Sequence, residues 1–329
     1  MPERASIFEL VQIGAESTVG TAVAASKRLQ SLSLTVNPKA SVQTYTGKGA
    51  KFPVMSALTK EWVEASVTGP MTYTDIAYIL NGVLNTVAPT GASTGKTWVH
   101  APDSYGPDTI KTFTVEAGSS VRAISFAYGL FTGATFNFTR DECTVDASMI
   151  GRALSDGVTL TSTPSAVALV PLTPVQVMVS WSDTQAGLAG ASALTRALSC
   201  SWGITNKAGP VWAMPSALVS STWAAHVETA PTIAVKLMAE ADAAGMALLT
   251  NLRANTTKWL RIKATGTTFV EGATPYSLTI DTPVQLVGDP FTFSDKDGVY
   301  AVEWNMNGVH DSTWGKACEV TLVTTVAAL

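Results

Sequence analysis

The residues of this chain best suited to chemistry fall into a few groups, and each meets an objection of spacing or context. Gly91-Ala92-Ser93-Thr94-Gly95 fits the GxSxG pattern, in which a serine nucleophile rides a sharp turn from a strand into a helix. Here the helical pattern comes before the motif and the strand Thr97-Trp98-Val99 after it, so the polarity is reversed. Read through Lys96 and Thr97, the same loop is one residue short of a phosphate-cradling glycine loop, in the same wrong context. Asp295-Lys296-Asp297-Gly298 spaces two carboxylates as a calcium loop does. Phe293 stands where that loop needs Asp, however, and Trp304 where it needs a bidentate Glu. Asp297-Gly298 between two strand patterns predicts a hairpin turn instead. His100, His226 and His310 are flanked by apolar strand residues, and no pair has the helical spacing of a metal site. His310-Asp311-Ser312 is contiguous, so its side chains diverge where a catalytic triad must converge. Cys143, Cys200 and Cys318 lie far apart with no CxxC spacing, and no secretory signal is visible at the N-terminus, so reduced, buried thiols are expected. The expectation is therefore no enzyme, no cofactor and no metal.

The elements that would position any site are mostly strands. Period-two alternation predicts strands at 7–13, 29–36, 61–68, 97–101, 111–116, 121–129 and 133–142, then 175–181, 197–204, 223–229, 258–264, 274–281, 283–287, 299–306 and 318–326. One helix is predicted in each half. Residues 72–85 place Ile76, Ile79, Leu80 and Val83 on one face, and 239–254 do the same with Met246, Leu248, Leu249 and Leu252. Long loops are expected at 37–59 and 205–221, with aromatic residues near their tips.

The two halves repeat each other. Val11-Gln12-Ile13-Gly14 and Lys27-Arg28-Leu29…Leu34 are echoed by Val179-Ser180-Trp181-Ser182 and Thr195-Arg196-Ala197…Trp202, with Arg28 and Arg196 separated by 168 residues. Further echoes pair Trp98 with Trp259, Phe113 with Tyr276, residues 61–68 with 223–229, and 147–153 with 311–317. So long a period predicts two tandem domains, 1–165 (with an N-terminal arm) and 166–329, divided in the Ser/Thr/Pro-rich segment 155–173. The fold class expected is α+β, mostly β, with two tandem β-sandwich or barrel domains, each flanked by one helix.

Composition narrows the functional classes. Charged residues make up only 14% of the 329, against about 25% in an average soluble protein, while hydrophobic residues reach 46%. The longest apolar stretch, 166–179, is interrupted by Pro171 and Pro174, which argues against a membrane span. Burial of the outer surface against partner chains is the simpler account. A net charge of −4 offers no basic stripe to hold nucleic acid.

Gly20-Thr21-Ala22…Lys27-Arg28-Leu29, Trp62…Gly69…Tyr73…Ile76…Leu80 and Asp295-Lys296-Asp297-Gly298-Val299-Tyr300-Ala301…Trp304, in this order over the whole chain, resemble the tail tube (major tail) proteins of long-tailed siphovirus bacteriophages. The resemblance implies a β-sandwich with a flanking helix, one of whose sheets joins its neighbours in a barrel around a channel. A duplicated chain would fill with three copies a ring that single-domain members fill with six. Rings would stack head to tail into a virion structural tube that passes DNA to the host cell, in a protein made in the host cytoplasm. Implied partners are the protein itself, tape-measure protein and DNA in the lumen without specific binding, and terminator and distal tail proteins at the ends, with no membrane.

On this reading Lys39, Tyr45, Lys48, Phe52, Trp212 and Met214 are candidates for ring stacking, and Glu61, Glu64, Glu116, Glu228, Asp281 and Glu303 for acidic groups facing the lumen. Arg140-Asp141-Glu142 is placed opposite Glu303-Trp304-Asn305 of the second copy, a difference between the two halves. The alternative reading is a carbohydrate-binding β-sandwich adhesin of a phage or bacterial surface, with a hydrolase built on Ser93 third.

Overall fold

A computed structural model describes residues 8–214 and 222–329. The first half contains β1 (Leu10–Ala15), β2 (Lys27–Leu29), β3 (Ser33–Tyr45), β4 (Met55–Pro70), α1 (Ile76–Val83), β5 (Lys96–His100), β6 (Phe113–Gly118), β7 (Ala123–Thr139), β8 (Cys143–Gly151), β9 (Ser155–Val158) and β10 (Ser165–Ala166). The second contains β11 (Val177–Ser182), β12 (Ala197–Thr205), β13 (Ala208–Val211), β14 (Ala225–Glu228), β15 (Thr232–Glu240), α2 (Leu248–Ala254), β16 (Lys258–Glu271), β17 (Thr274–Lys296), β18 (Val299–Gly308) and β19 (Glu319–Thr324). The chain is α+β and mostly β, as its alternation predicts.

The same pairing order occurs twice. In the first half β1 pairs β6, β6 pairs the start of β7, and β9 pairs that start from the other side. The end of β7 pairs β8, which pairs β4, which pairs β3. The second half repeats this with β11, β16, β17 and β19, and then with β17, β18, β15 and β12. β7 and β17 are thus counterparts, each running through two sheets, and each shifts register where it bends, at Phe131/Gly133 and Leu286/Phe291. The two strands predicted at 121–129 and 133–142, and those at 274–281 and 283–287, are therefore single bent strands, and β8 is an additional one.

This order corrects several sequence equivalences. Residues 61–68 lie in β4, whose counterpart is β15 rather than 223–229. Phe113 opens β6, the counterpart of β16, whereas Tyr276 lies in β17. Trp98 has no counterpart in β16, because β5 crosses over and pairs with β19 of the second half. The segment 147–153 runs along β8, whereas 311–317 forms the turn after β18. Arg140-Asp141 forms the turn between β7 and β8, so its counterpart is the β17–β18 turn and Glu303 lies mid-strand. Asp297 (φ 54°) and Gly298 (φ 80°) make that second turn with two positive φ angles, as the Asp-Gly signal predicts.

Both helices are shorter than their periodic patterns. In α1 all eight residues are buried, although the sequence reads as one-sided. The segment after β10 covers the face away from β7, with Tyr73 N donating to Val170 O at 2.9 Å and Leu172 N to Met71 O at 3.0 Å. The expected start of α2 at Ala239 belongs instead to β15, where Ala239 and Glu240 still pair with Val302 and Ala301. The expected loop at 37–59 is largely strand. β3 and β4 stay paired, through one register shift at Ser41/Val42, out to Tyr45 opposite Met55, leaving a turn at 46–54. Val42 stands opposite Leu58 and Tyr45 opposite Met55, three residues apart on each strand, so the extended ladder carries apolar side chains on both of its faces.

Candidate assembly interface

Between the two halves, β12 pairs antiparallel with the end of β7, Ser199 opposite Thr139 and Ile204 opposite Ala134. One sheet of eight strands results, in the order β3-β4-β8-β7-β12-β15-β18-β17. Successive side chains of a strand point to opposite faces, so the register sorts this sheet into two surfaces. One carries the row Val145, Phe136, Trp202, Val235 and Met306, each within 2% of complete burial. Phe136 and Trp202 meet across the junction with ring centroids 6.0 Å apart, so one core runs through both halves.

The other surface is built of short polar groups. One row reads Ser33, Thr68, Asp146, Thr135, Gly203, Ala234 and Asn307 across seven strands. A second reads Thr144, Asn137, Ser201, Lys236 and Asn305, and a third Thr139, Ser199, Met238, Glu303 and Thr292. Charges on it are few and of both signs. Lys39 lies 3.6 Å from Glu64, and Asn137 Nδ2 donates to Asp146 at 2.9 Å.

Among the described residues the sheet ends in two open edges, β3 on one side and the Phe291–Lys296 stretch of β17 on the other. In the pairing order β3 is the counterpart of β12, and the end of β17 is the counterpart of the end of β7. The open edges are thus the counterparts of the two strands already joined inside the chain. An unpaired edge presents a row of N–H and C=O groups ready to accept another strand.

At one end of the polar face the rows give way to Trp62, Ile150 and Leu130, and the β13–β14 hairpin packs over them. Trp223 is fully buried there, its ring 4.0 Å from that of Tyr128 and its Nε1 donating to Gly151 O at 3.0 Å. Arg152 donates to the carbonyls of Trp223 (3.1 Å), Ala224 (3.0 Å) and Gly20 (3.0 Å), with its guanidinium 4.7 Å over the Tyr128 ring. Lys207, 1% exposed, bonds both Asp108 and Glu228, and Asp108 N donates to Glu228 Oε2 at 2.7 Å. Tyr128 OH lies 3.0 Å from His226 Nδ1, and burial holds that imidazole below its ordinary pKa, against the pull of Glu228.

The residues expected at the stacking and lumen surfaces are distributed unevenly. Tyr45 ends β3, while Lys48 and Phe52 lie in the following turn, Phe52 being 70% exposed. Trp212 is held within the chain, 5.6 Å from Trp62 and with Lys60 Nζ 4.9 Å over its ring, so it is no free tip. Met214 is 98% exposed. Of the acidic set, Glu64 and Glu303 lie on the polar face and Glu61 alternates to the opposite side of β4. The other three are engaged by partners within the chain. Glu116 is buried and accepts from Thr161 N and Oγ1 at 2.7 and 2.8 Å. Asp281 is buried in a two-pronged pair with Arg261, 2.7 Å for each prong, and Glu228 is bound to Lys207. Charge and strand position gave no sign of these partners, two of which, Thr161 and Lys207, lie in connections between strands.

The groups singled out for chemistry are also placed. Ser93 sits in an exposed turn closed by the Thr90–Thr97 bridge, not on a strand-to-helix elbow. The three cysteines are buried, and burial pushes the thiols of Cys200 and Cys318 up to about 12. Among the described residues no cluster of His, Cys, Asp and Glu could hold a metal ion, and no helix is long and apolar enough to cross a membrane.

His100 stacks on Trp98, with Nδ1 3.0 Å from Asn85 O. Burial lowers its pKa from 6.5 to about 4, against the pull of the Asn85 carbonyl. Below pH 6.5 the unfolded chain therefore binds the proton that the folded chain refuses, and stability falls as pH drops toward 4. The expected loss from this group is roughly 3 kcal/mol at about 1.4 kcal/mol per unit. Urea melts between pH 7 and 4 are expected to show a shallower acid dependence for His100→Phe than for the wild type. Parallel curves would assign the acid sensitivity elsewhere.

No known protein family matches this chain, and no curated protein sequence matches it.

Proposed function

We propose that the chain is the subunit of a hollow tail tube that conducts phage DNA, built from rings of three copies. The observation that carries this reading is the β7–β12 junction, together with two open edges that are its counterparts. If one chain joins its two halves edge to edge, the same pairing between β17 of one copy and β3 of the next adds chains with the same rotation. Such a heterologous contact closes into a ring when the rotation divides a full turn, and closure removes both exposed edges. The polar face, short in side chains and sparse in charge, suits the inside of that ring: it stays wet and offers DNA no basic grip. The low overall charge fits an outer surface covered by neighbouring rings.

The tryptophans favour this reading over a sugar-binding adhesin. Trp98, Trp202, Trp223, Trp259 and Trp304 are buried, and the other four are half-buried, several against partners within the chain. Negative-stain microscopy of the purified protein is expected to show annuli or hollow tubes, and dispersed monomers at high concentration would refute the proposal. Removing residues 38–58 and reclosing the hairpin is expected to abolish tubes, measured by sedimentation, while circular dichroism stays that of the full chain. Normal tubes from that variant would mean the hairpin plays no part in assembly.

A further inference from the structure

The two halves carry matching hairpins between matching strands, yet only one hairpin has a seat. At the 168-residue separation of Arg28 and Arg196, the pairs Val211–Ala225 and Pro210–His226 of β13–β14 correspond to Gln43–Ala57 and Val42–Leu58 of the β3–β4 hairpin, in the same register. The second hairpin lies on the first half, with Trp223 packed edge-on against Tyr128, whose ring also lies under Arg152. At the same separation, the counterpart of Trp223 is Met55. Met55 is 60% exposed, and around it Val42, Phe52, Val54 and Leu58 are each at least half exposed. Apolar side chains concentrated on one projecting hairpin mark an interaction surface.

Among the described residues, the second half has at the equivalent place a corner that no hairpin covers. Residues 183–186 follow β11 as residues 16–18 follow β1, and the 311–314 turn follows β18 as the Arg152 turn follows β8. Together with Trp259 they line a groove of about 410 Å³ that holds Trp314, half-buried and 5.0 Å from the Trp259 ring. In the first half the comparable corner is occupied by Trp223 of the hairpin beside the β7–β12 junction.

We infer that the β3–β4 hairpin of a neighbouring copy seats Met55 and its apolar surroundings in the Trp259/Trp314 groove, beside the joint between β17 and the neighbour's β3. The occupant is a second copy of this chain, in the same ring, and the inference rests on the ring reading above. Inside the chain, the hairpin next to an edge-to-edge joint latches onto the half across that joint. Repeating the operation from β17 to the next β3 brings the first-half hairpin to the second-half groove. The exposed arm is then the lateral clasp of the ring, which differs from a role in reaching the ring above.

Sedimentation of wild type, Met55→Asp and Trp314→Ala as a function of concentration tests this. Both variants are expected to keep the wild-type circular dichroism and to need at least tenfold higher concentration to form rings. In a second measurement, Met55→Cys with Thr313→Cys, treated with a short bismaleimide, is expected to give covalent chains of two and three copies, where each single variant gives none. Wild-type rings together with unchanged self-association of both variants overturn the clasp and leave the ring standing. Variants that form rings normally but no longer stack them place the hairpin against the next ring and also overturn it. A wild type that never associates overturns ring and clasp together.

Discussion

Trp223→Ala is expected to destabilise the protein by about 3–5 kcal/mol, the range for removing a large aromatic side chain from a core. The side chain is fully buried, its ring edge-on to that of Tyr128 with centroids 4.0 Å apart, and tied by Nε1 to Gly151 O at 3.0 Å. Its loss leaves a cavity beneath the β13–β14 hairpin. The guanidinium of Arg152, held above the rings of Tyr128 and Trp223, loses one of its two faces. A cavity is expected to relax only in part, because Tyr128 is itself fixed at a positive φ of 59° with its backbone N–H bonded to Glu16 Oε1 at 2.8 Å. Equilibrium denaturation in urea measures the loss, and Trp223→Phe should recover most of it by keeping the edge-on ring contact without the Nε1 bond. A loss below about 1 kcal/mol for the alanine variant would show that the hairpin contributes little to stability, contrary to its burial. The clasp is expected to be weakened less than the fold, since Met55 of the other hairpin is untouched.

Lys207→Met carries the second large effect, again about 3–5 kcal/mol, with a different physical origin. The ammonium is 1% exposed and bonded to Asp108, itself 5% exposed, and to Glu228. Removing it strands two carboxylates next to each other, that of Asp108 buried and that of Glu228 mostly so, and an uncompensated buried charge is expensive. The comparison with a triple variant separates this cause from simple loss of packing. Asp108→Asn and Glu228→Gln added to Lys207→Met replace the charges with amides of similar size, and should restore more than half of the lost stability. If the triple variant is no more stable than the single one, the ion triad is not what holds the hairpin against residues 101–112.

How far the sequence led varies with the kind of interaction involved. The hairpin at Asp297-Gly298 was legible because two positive φ angles are a local demand that these residue types meet. The echo of β1 in β11 and of β3 in β12 was legible because residue type and spacing survive in both copies. The acidic candidates show where local pattern stops. Glu64 and Glu303 lie on the polar face by simple alternation, but nothing local distinguishes them from Glu116 or Asp281, which Thr161 and Arg261 draw into the interior. The 37–59 stretch read as a loop because of its Gly, Lys and Ser content, whereas cross-strand pairing carries β3 and β4 outward together.

By itself, then, the sequence determined the strand content, the turn chemistry, the alternation of core and polar positions, and the presence of two related halves. Only the tertiary structure decided which edges meet. It joined β7 to β12, sent β5 across to β19, bent β7 and β17 through two sheets, and left β3 and the end of β17 open. A period of two tells which residues share a face, but the partner of a strand is chosen by burial and hydrogen bonding summed over residues far apart in the chain. The open edges and the empty groove are therefore properties of the packed molecule, and no single segment carries them.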